Sequence, residues 1–215
     1  MLSFTEEIVL LLLDDAKGEF VALPEPVFGI VIAGAALMDL AIRDRIDTDL
    51  EQLMVVDRTP LDDGILDDVL KRLGMPAGDL NIAQALYDTV PYVDAYKAQA
   101  LERLIAHGIL REENGRHLWV FRTRRYPVID NAEQQEVRAR LRRILLTDEI
   151  PDPRDVVLVC LIDACRLLGF VLSDEEIEAA VPRVVQLRRL DLIGQAVAKA
   201  ASEIQAIIKF AAASV

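Results

Sequence analysis

Residues 107–130, HGILREENGRHLWVFRTRRYPVID, contain the strongest local structural signal in the chain. Gly108 is the kind of residue that ends a helix in the left-handed conformation. Asn114-Gly115 follows between two apolar runs, and this dipeptide favours the type I′ turn of a β-hairpin because both residues tolerate a positive φ. The stretch therefore predicts a helix end, a hairpin turned at Asn114-Gly115, and a basic strand that leaves through residues 125–128.

Helical patterns occupy most of the chain on both sides of this hairpin. Ser3 with Glu6, and Ser173 with Glu176, form capping boxes that mark helix starts. Apolar residues at helical spacing and N-cap residues (Asn81, Asn131, Asp152) predict the other helices, at about 24–43, 61–73, 81–89, 92–107, 131–145, 155–168 and 190–213. Short strands are expected at 20–23, 46 and 52–56. We predict a mainly α fold, a single globular helical domain over residues 1–215 with short β-hairpins at its edge.

The distribution of charge is uneven. The chain has 215 residues, 53% of them hydrophobic, and a formal net charge of -12. Residues 111–143 nevertheless hold nine arginines and five acidic residues, a local net charge of +4. The acidic body disfavours nucleic acid, because phosphate neutralisation drives such binding. A basic face on an acidic body instead favours an anionic membrane surface or an acidic protein partner.

No residue pattern indicates catalysis, a metal site or a cofactor, so we expect a non-enzymatic protein. Cys160 and Cys165 are expected to be buried thiols of a reducing compartment. The start of the chain lacks the basic region of a signal peptide, and the longest apolar run, 27–38, is shorter than the ~20 residues that span a bilayer. We expect a cytoplasmic protein that can lie peripherally on a membrane. Three acidic pairs are interpreted as surface charge: Asp14-Asp15, Asp62-Asp63 and Asp67-Asp68.

Two other interpretations of the hairpin stay open. A helix at 92–107 followed by a basic hairpin is typical of a winged-helix DNA-binding protein, although the helix is nearly neutral and poor for phosphate contact. Alternatively, the strand residues pack on the core and the arginines pair with the acidic body. Trp119 is then a core residue, whereas on a projecting hairpin it would be an anchor at a membrane interface.

Four stretches, in order along the chain, carry a family resemblance. They are FTEEIVLLLLDD (4–15), GAALMDLAIRDRI (34–46), DRTPLDDGILDDVLK (57–71), and LERLIAHGIL (101–110) followed by HLWVFRTRRYPV (117–128). Together they resemble the Golgi phosphoprotein three family, whose yeast member is a vacuolar sorting protein. The resemblance implies a mostly α-helical domain that binds membranes peripherally. Eukaryotic members recognise phosphatidylinositol-4-phosphate and retain glycosyltransferases by binding their cytosolic tails. The short loops suggest a prokaryotic member.

The resemblance also locates the family's lipid pocket. Its tryptophan aligns with Pro24, and its three arginines align with Ala33, Asp94 and Lys97, so only Lys97 keeps a positive charge. Because arginine grips phosphate bidentately and Asp repels it, we expect electrostatic rather than lipid-specific binding. Self-association through the hairpin is left open. The candidate lipid-binding residues are Lys97, Arg116, Trp119, Arg122, Arg124 and Arg125.

Overall fold

The computed structural model describes residues 2–14, 17–48, 52–73, 80–117, 121–129, 131–190, 195 and 199, without the side chains of 25, 114–117 and 121–124. Within this part of the chain there are eight α-helices and two separate two-stranded antiparallel sheets. The helices are α1 (Phe4–Leu11), α2 (Glu25–Ile42), α3 (Gly64–Arg72), α4 (Ile82–Thr89), α5 (Val93–Ala106), α6 (Ala132–Leu146), α7 (Pro153–Ala164) and α8 (Asp174–Arg188). The sheets pair β1 (Ile46–Thr48) with β2 (Leu53–Val55), and β3 (Glu113–His117) with β4 (Phe121–Arg125). The predicted mainly α fold with short hairpins is confirmed.

Two helices form the centre of the core. All eight residues of α1 are buried, and this helix packs on α2, α5 and α6. The longer α2 packs on α1, α3, α4, α5 and α7. An apolar helix of this kind is buried on all sides rather than along one stripe. Among the described residues, no helix combines the length and hydropathy that a bilayer span needs.

The buried start of α1 is capped twice. Ser3 Oγ accepts a hydrogen bond from the Glu6 amide at 3.2 Å, and Glu6 Oε2 accepts one from the Ser3 amide at 2.7 Å, which confirms the predicted capping box. Asp39, from the interior of α2, accepts hydrogen bonds from the amides of Phe4 and Thr5 at 3.1 and 3.3 Å. The first amides of a helix have no partner within it, so this carboxylate ties α2 directly to α1.

The acidic first turn of α1 also has buried partners. The side chain of Glu7 is only 3% exposed, and it contacts Arg140 of α6 at 3.0 Å and Arg154 of α7 at 3.4 Å. Arg140 also contacts Asp155 at 2.6 Å. Burial raises the pKa of Glu7, and the charges of Arg154 and Arg140 offset part of that rise. Burial likewise raises the pKa of Asp155, against the charge of Arg140.

Most predicted helix starts are confirmed. Asn81 accepts from the Gln84 amide, Asp152 accepts from the Arg154 amide, and Ser173 forms its capping box with Glu176. Asn131 precedes α6 but makes no side-chain cap, because its backbone (φ −87°, ψ 4°) is not extended as a capping residue requires.

Three smaller predictions have different outcomes. Cys160 and Cys165 are buried free thiols, as expected. Segment 20–23 is not a strand. It makes one isolated bridge, Leu13 with Phe20, and one further backbone hydrogen bond from Val21 to Leu12. The predicted C-terminal helix at 190–213 lies almost wholly outside the described residues.

The interpretation of the acidic pairs as surface charge is wrong for three residues. Asp63 caps α3 through the amides of Ile65 and Leu66, at 3.0 and 3.2 Å, and is gripped by both terminal nitrogens of Arg103 at 2.8 and 2.9 Å. Asp67 accepts from the Leu61 amide. Asp68 accepts from Arg72 and from the Tyr96 hydroxyl. Burial alone would raise the pKa of Asp63. The hydrogen bonds from Arg103 and from the backbone amides lower the pKa by more than burial raises it, so the net shift is downward.

The register of the second hairpin differs from the prediction. His117 pairs with Phe121 and Glu113 with Arg125, so Asn114-Gly115 lies inside β3 and not at the turn of the hairpin. The same register continues at the base of the hairpin, where Leu110 pairs with Val128. Because Leu110 is buried in the core, the base fixes the register and overrides the local preference of Asn-Gly for a turn.

We expect the Asp63–Arg103 pair to stabilise the fold more than an exposed ion pair does. Asp63→Ala removes a helix cap and a bidentate charged hydrogen bond, so it should cost about 2–4 kcal/mol in the free energy of unfolding. Chemical denaturation of Asp63→Ala, Arg103→Ala and the double variant would give a coupling energy of about 1–2 kcal/mol. Asp94→Ala, at a largely exposed ion pair, is the control and should cost about 1 kcal/mol or less. Additive effects of the two single variants would contradict the expectation.

Asp39 should make the stability of the protein depend on pH. Burial raises the pKa of Asp39 to about 6, in spite of its amide hydrogen bonds from Phe4 and Thr5. A raised carboxyl pKa means that the folded state holds the proton more tightly. The stabilisation that protonated Asp39 adds to the free energy of unfolding is therefore fully present below about pH 4, and it is lost as the pH rises through about 6.

The measurement compares the wild type with Asp39→Asn by urea denaturation between pH 4 and 7. The wild type should lose up to about 3 kcal/mol relative to the variant across this window. The amide can accept through one oxygen only, which adds an offset that does not depend on pH. Glu7 and Asp155 are present in both proteins, so their titration cancels to first order. Parallel stability curves for the two proteins would show that Asp39 does not titrate in this window.

Candidate functional site

The base of the basic hairpin is fixed to the helical body. The Ile129 amide donates to the Ile109 carbonyl at 2.8 Å, and the Tyr126 amide donates to the Gly18 carbonyl at 2.7 Å. Gly18 has a φ of +63°, and a Cβ there would lie 2.5 Å from the Pro127 nitrogen. Only glycine combines this conformation with so close a contact, so the Gly18 turn holds the exit of the hairpin.

The strand register brings several predicted site residues together. Arg116 pairs with Arg122, Asn114 with Arg124, and Glu113 with Arg125. Arg125 Nε lies 2.9 Å from Glu19, and both side chains are just over one third exposed. Trp119 and the side chains of Arg116, Arg122 and Arg124 lie outside the described part of the structure. The register therefore shows which of these positions are opposite each other, and the role of the residues in binding stays a prediction.

An aromatic pocket lies beside the base of this hairpin. Its volume is about 560 Å³, within the range of small-ligand sites. The pocket is lined by the segment after the Gly18 turn (Phe20, Val21, Leu23), by the start of α2 (Pro26, Phe28, Gly29), by a 3-10 turn (Val90, Pro91) and by the start of α5 (Val93, Asp94, Lys97). Gly29 allows the 3-10 turn to approach α2, because a Cβ there would lie 3.1 Å from Val90 Cγ1.

Lys97 supplies the positive charge of the pocket. Its Nζ lies 2.7 Å from Asp94, one turn earlier on α5, and 5.7 and 5.1 Å from the ring centres of Phe20 and Phe28. The two rings pack edge to face, with centres 5.4 Å apart. A cation over aromatic faces is stabilised by the ring quadrupoles. Lys97 is 28% exposed and Asp94 is 81% exposed, so the ion pair lies at the mouth of the pocket.

The four aligned family positions do not all meet at this pocket. Asp94 and Lys97 line it. Ala33 is fully buried within α2, and Pro24 is an exposed N-cap residue that is not part of the lining. The pocket thus contains one lysine and one aspartate among apolar walls, where the resemblance implied a set of arginines.

Three of the four arginines of α6 have acidic partners. Arg140 contacts Glu7, Glu136 and Asp155, Arg143 lies 2.8 Å from Glu149, and Arg142 pairs with Glu176. These pairs neutralise much of the positive charge that the sequence places between 111 and 143.

A second cavity lies on the other side of Pro91. It has a volume of about 570 Å³ and is lined mainly by polar and charged residues (Asp68, Lys71, Arg72, Tyr87, Asp88, Pro91, Tyr92). Arg72 stacks on the ring of Tyr92 at 3.2 Å and is also held by Asp68. Within the described ranges there is no group of three side chains that could hold a metal ion.

Reasoning from the sequence missed Phe20 and Phe28. The sequence pattern predicts a strand that includes Phe20, and it treats Phe28 only as one apolar residue of α2. The pair is recognisable only when the turn at Gly18 folds residues 20–23 back against α2, which no local pattern specifies.

Comparison with known proteins tests the family assignment. The family model described as Golgi phosphoprotein 3 (GPP34) matches residues 4–204, nearly the whole chain. No curated protein matches the sequence. The match extends through the described core from α1 to α8 and includes the hairpin and the aromatic pocket. The chain therefore belongs to the Golgi phosphoprotein 3 family.

Proposed function

We propose that this protein is a peripheral adaptor that contacts an anionic membrane surface, or an acidic partner, through its basic hairpin. The observation that carries the proposal is the cross-strand pair Arg116–Arg122. Like charges directly opposite each other destabilise an antiparallel pair. An external anion between these strands would relieve the repulsion, so the register favours binding to negative charge.

Two further features support this proposal. Three arginines of α6 (Arg140, Arg142 and Arg143) pair with acidic residues of the protein, which makes them weaker candidates for a second cationic surface. Membership of the Golgi phosphoprotein 3 family supports a role of the same general kind. The finer points, that the target is anionic lipid and that the hairpin makes the contact, are the content of the proposal.

The winged-helix alternative gains no specific observation. In α5, Lys97 pairs with Asp94 and Arg103 pairs with Asp63. Five residues of the same helix are buried against the core (Val93, Tyr96, Ala100, Leu101, Leu104). A recognition helix needs free cations and an exposed face that enters a DNA groove. The adaptor is therefore the better supported of the two functions.

Binding to vesicles should depend on charge and on the hairpin arginines. We expect co-sedimentation with vesicles containing phosphatidylserine, little with phosphatidylcholine alone, and loss of binding as salt is raised. Each basic residue near the surface contributes on the order of 1 kcal/mol. The variant with Arg122→Ala, Arg124→Ala and Arg125→Ala should therefore bind about 100-fold more weakly, with a nearly unchanged melting temperature because exposed pairs contribute only ~0–1 kcal/mol each.

The matched control removes the same charge elsewhere. Arg58→Ala, Arg143→Ala and Arg189→Ala replace three exposed arginines outside the hairpin. This control should retain most of the binding. Equal losses in the two triple variants would mean that net charge, rather than the hairpin, drives association. Strong selectivity for phosphatidylinositol-4-phosphate over phosphatidylserine at equal charge would contradict the electrostatic mechanism. A large drop in melting temperature of the hairpin variant would assign its arginines a structural role.

Trp119 distinguishes a projecting hairpin from one packed on the core. It is the only tryptophan, and in the sequence it falls between His117 of β3 and Phe121 of β4. An indole ring prefers the headgroup depth of a bilayer. Trp119→Ala should therefore weaken vesicle binding while changing the free energy of unfolding by only about 0.5 kcal/mol. Its fluorescence should shift to shorter wavelength on adding anionic vesicles. A cost of roughly 3–5 kcal/mol, with no spectral shift, would place Trp119 in the core.

A further inference from the structure

The aromatic pocket has walls suited to an apolar ligand. Phe20 and Phe28 line it together with Val90 of the 3-10 turn and Val93 of α5. Phe28 and Val90 are partly exposed, so apolar surface in the pocket is in contact with solvent. Covering such surface is favourable in proportion to its area. A ligand that fills the pocket must therefore bring an apolar portion of its own.

The charge at the mouth of the pocket limits the polar portion of that ligand. Lys97 and Asp94 form an ion pair with no net charge, in place of a cluster of cations. A phosphomonoester carries nearly two negative charges and would meet the Asp94 carboxylate beside the only cation of the lining. The ammonium of Lys97 has three N–H donors, and Asp94 uses one of them. The mouth therefore suits a single negative charge.

We propose that the aromatic pocket binds an amphiphilic monocarboxylate, with the carboxylate at Lys97 and the apolar tail between the phenylalanine pair and Val90–Val93. Lys97 already lies over the rings of Phe20 and Phe28, so a carboxylate bound to it begins its chain at the apolar wall. Asp94 is largely exposed and can turn toward water when the ligand carboxylate replaces it. The inference does not depend on the hairpin contacting a membrane.

The probe is decanoate below its micelle-forming concentration, titrated calorimetrically into the full chain. We expect saturable binding of one molecule per chain. Decanol keeps the tail but lacks the charge and should bind about tenfold more weakly, since a hydrogen bond to a charged group contributes about 1.5 kcal/mol or more. Inositol 1,4-bisphosphate, a soluble compound with two phosphomonoester groups and no tail, should bind more weakly than decanoate.

Two substitutions at the mouth should have opposite effects. Lys97→Met keeps the apolar stem and removes the charge, so decanoate should bind about tenfold more weakly while decanol binding stays unchanged. Asp94→Asn removes the competing carboxylate, so decanoate should bind more tightly than it does to the wild type. Leu23→Trp fills part of the pocket and should weaken decanoate and decanol alike. Melting temperatures of the three variants show that each is folded.

The hairpin variant separates this inference from the proposed function. The combined Arg122→Ala, Arg124→Ala and Arg125→Ala protein should bind decanoate as the wild type does, because the charge and the apolar walls on which the inference rests belong to other residues, Lys97 and the lining of the pocket. Three results would each overturn the inference: tighter binding of inositol bisphosphate than of decanoate, no opposite effects of the two substitutions at the mouth, or non-saturable uptake that Leu23→Trp does not change.

Discussion

The complete burial of α1 is the constraint on which the rest of the structure depends. A buried helix still has free amides at its start, and this one also carries Glu6 and Glu7 there. Each polar group must find a partner inside the protein, because an unpaired one would cost ~1–3 kcal/mol or more. Asp39 of α2 meets the free amides, while Arg140 of α6 and Arg154 of α7 meet Glu7. Three helices distant in sequence are thereby held against one short segment.

This arrangement also determines which charges remain outside. Arg140 contacts the buried carboxylates of Glu7 and Asp155. Its neighbours on α6, Arg142 and Arg143, pair with Glu176 and Glu149. A buried charge that keeps its partner is tolerated, whereas removal of either partner leaves an uncompensated charge. These arginines of α6 are thus retained by the acidic body. The basic hairpin differs in that its backbone register places Arg116 opposite Arg122, and like charges at opposite positions are unfavourable in an antiparallel pair.

Local chemistry in the sequence predicts the helices well and the tertiary contacts poorly. The capping boxes at Ser3 and Ser173 need only residues three apart, and both form as expected. The predicted turn at Asn114-Gly115 is wrong because the register is set from the base of the hairpin, where Leu110 and Val128 pair. Asp63 looked like a surface charge because its partner, Arg103, is forty residues away.

The candidate site shows the same division between local and distant information. Lys97 and Asp94 are three residues apart on one helix, so their ion pair could be anticipated from the sequence. The aromatic pair could not, since it depends on Gly18 accepting a left-handed conformation against Pro127. Family alignment compares positions one at a time and detects the loss of arginines, but it does not show what replaces them. The aromatic pair of Phe20 and Phe28 forms only when the segment after Gly18 folds onto α2.

The turn at Gly18 also connects the two surfaces. Its carbonyl accepts from Tyr126 at the exit of the hairpin, Glu19 pairs with Arg125, and Phe20 lines the pocket. Three consecutive residues therefore contact the hairpin base, a hairpin arginine and the pocket wall.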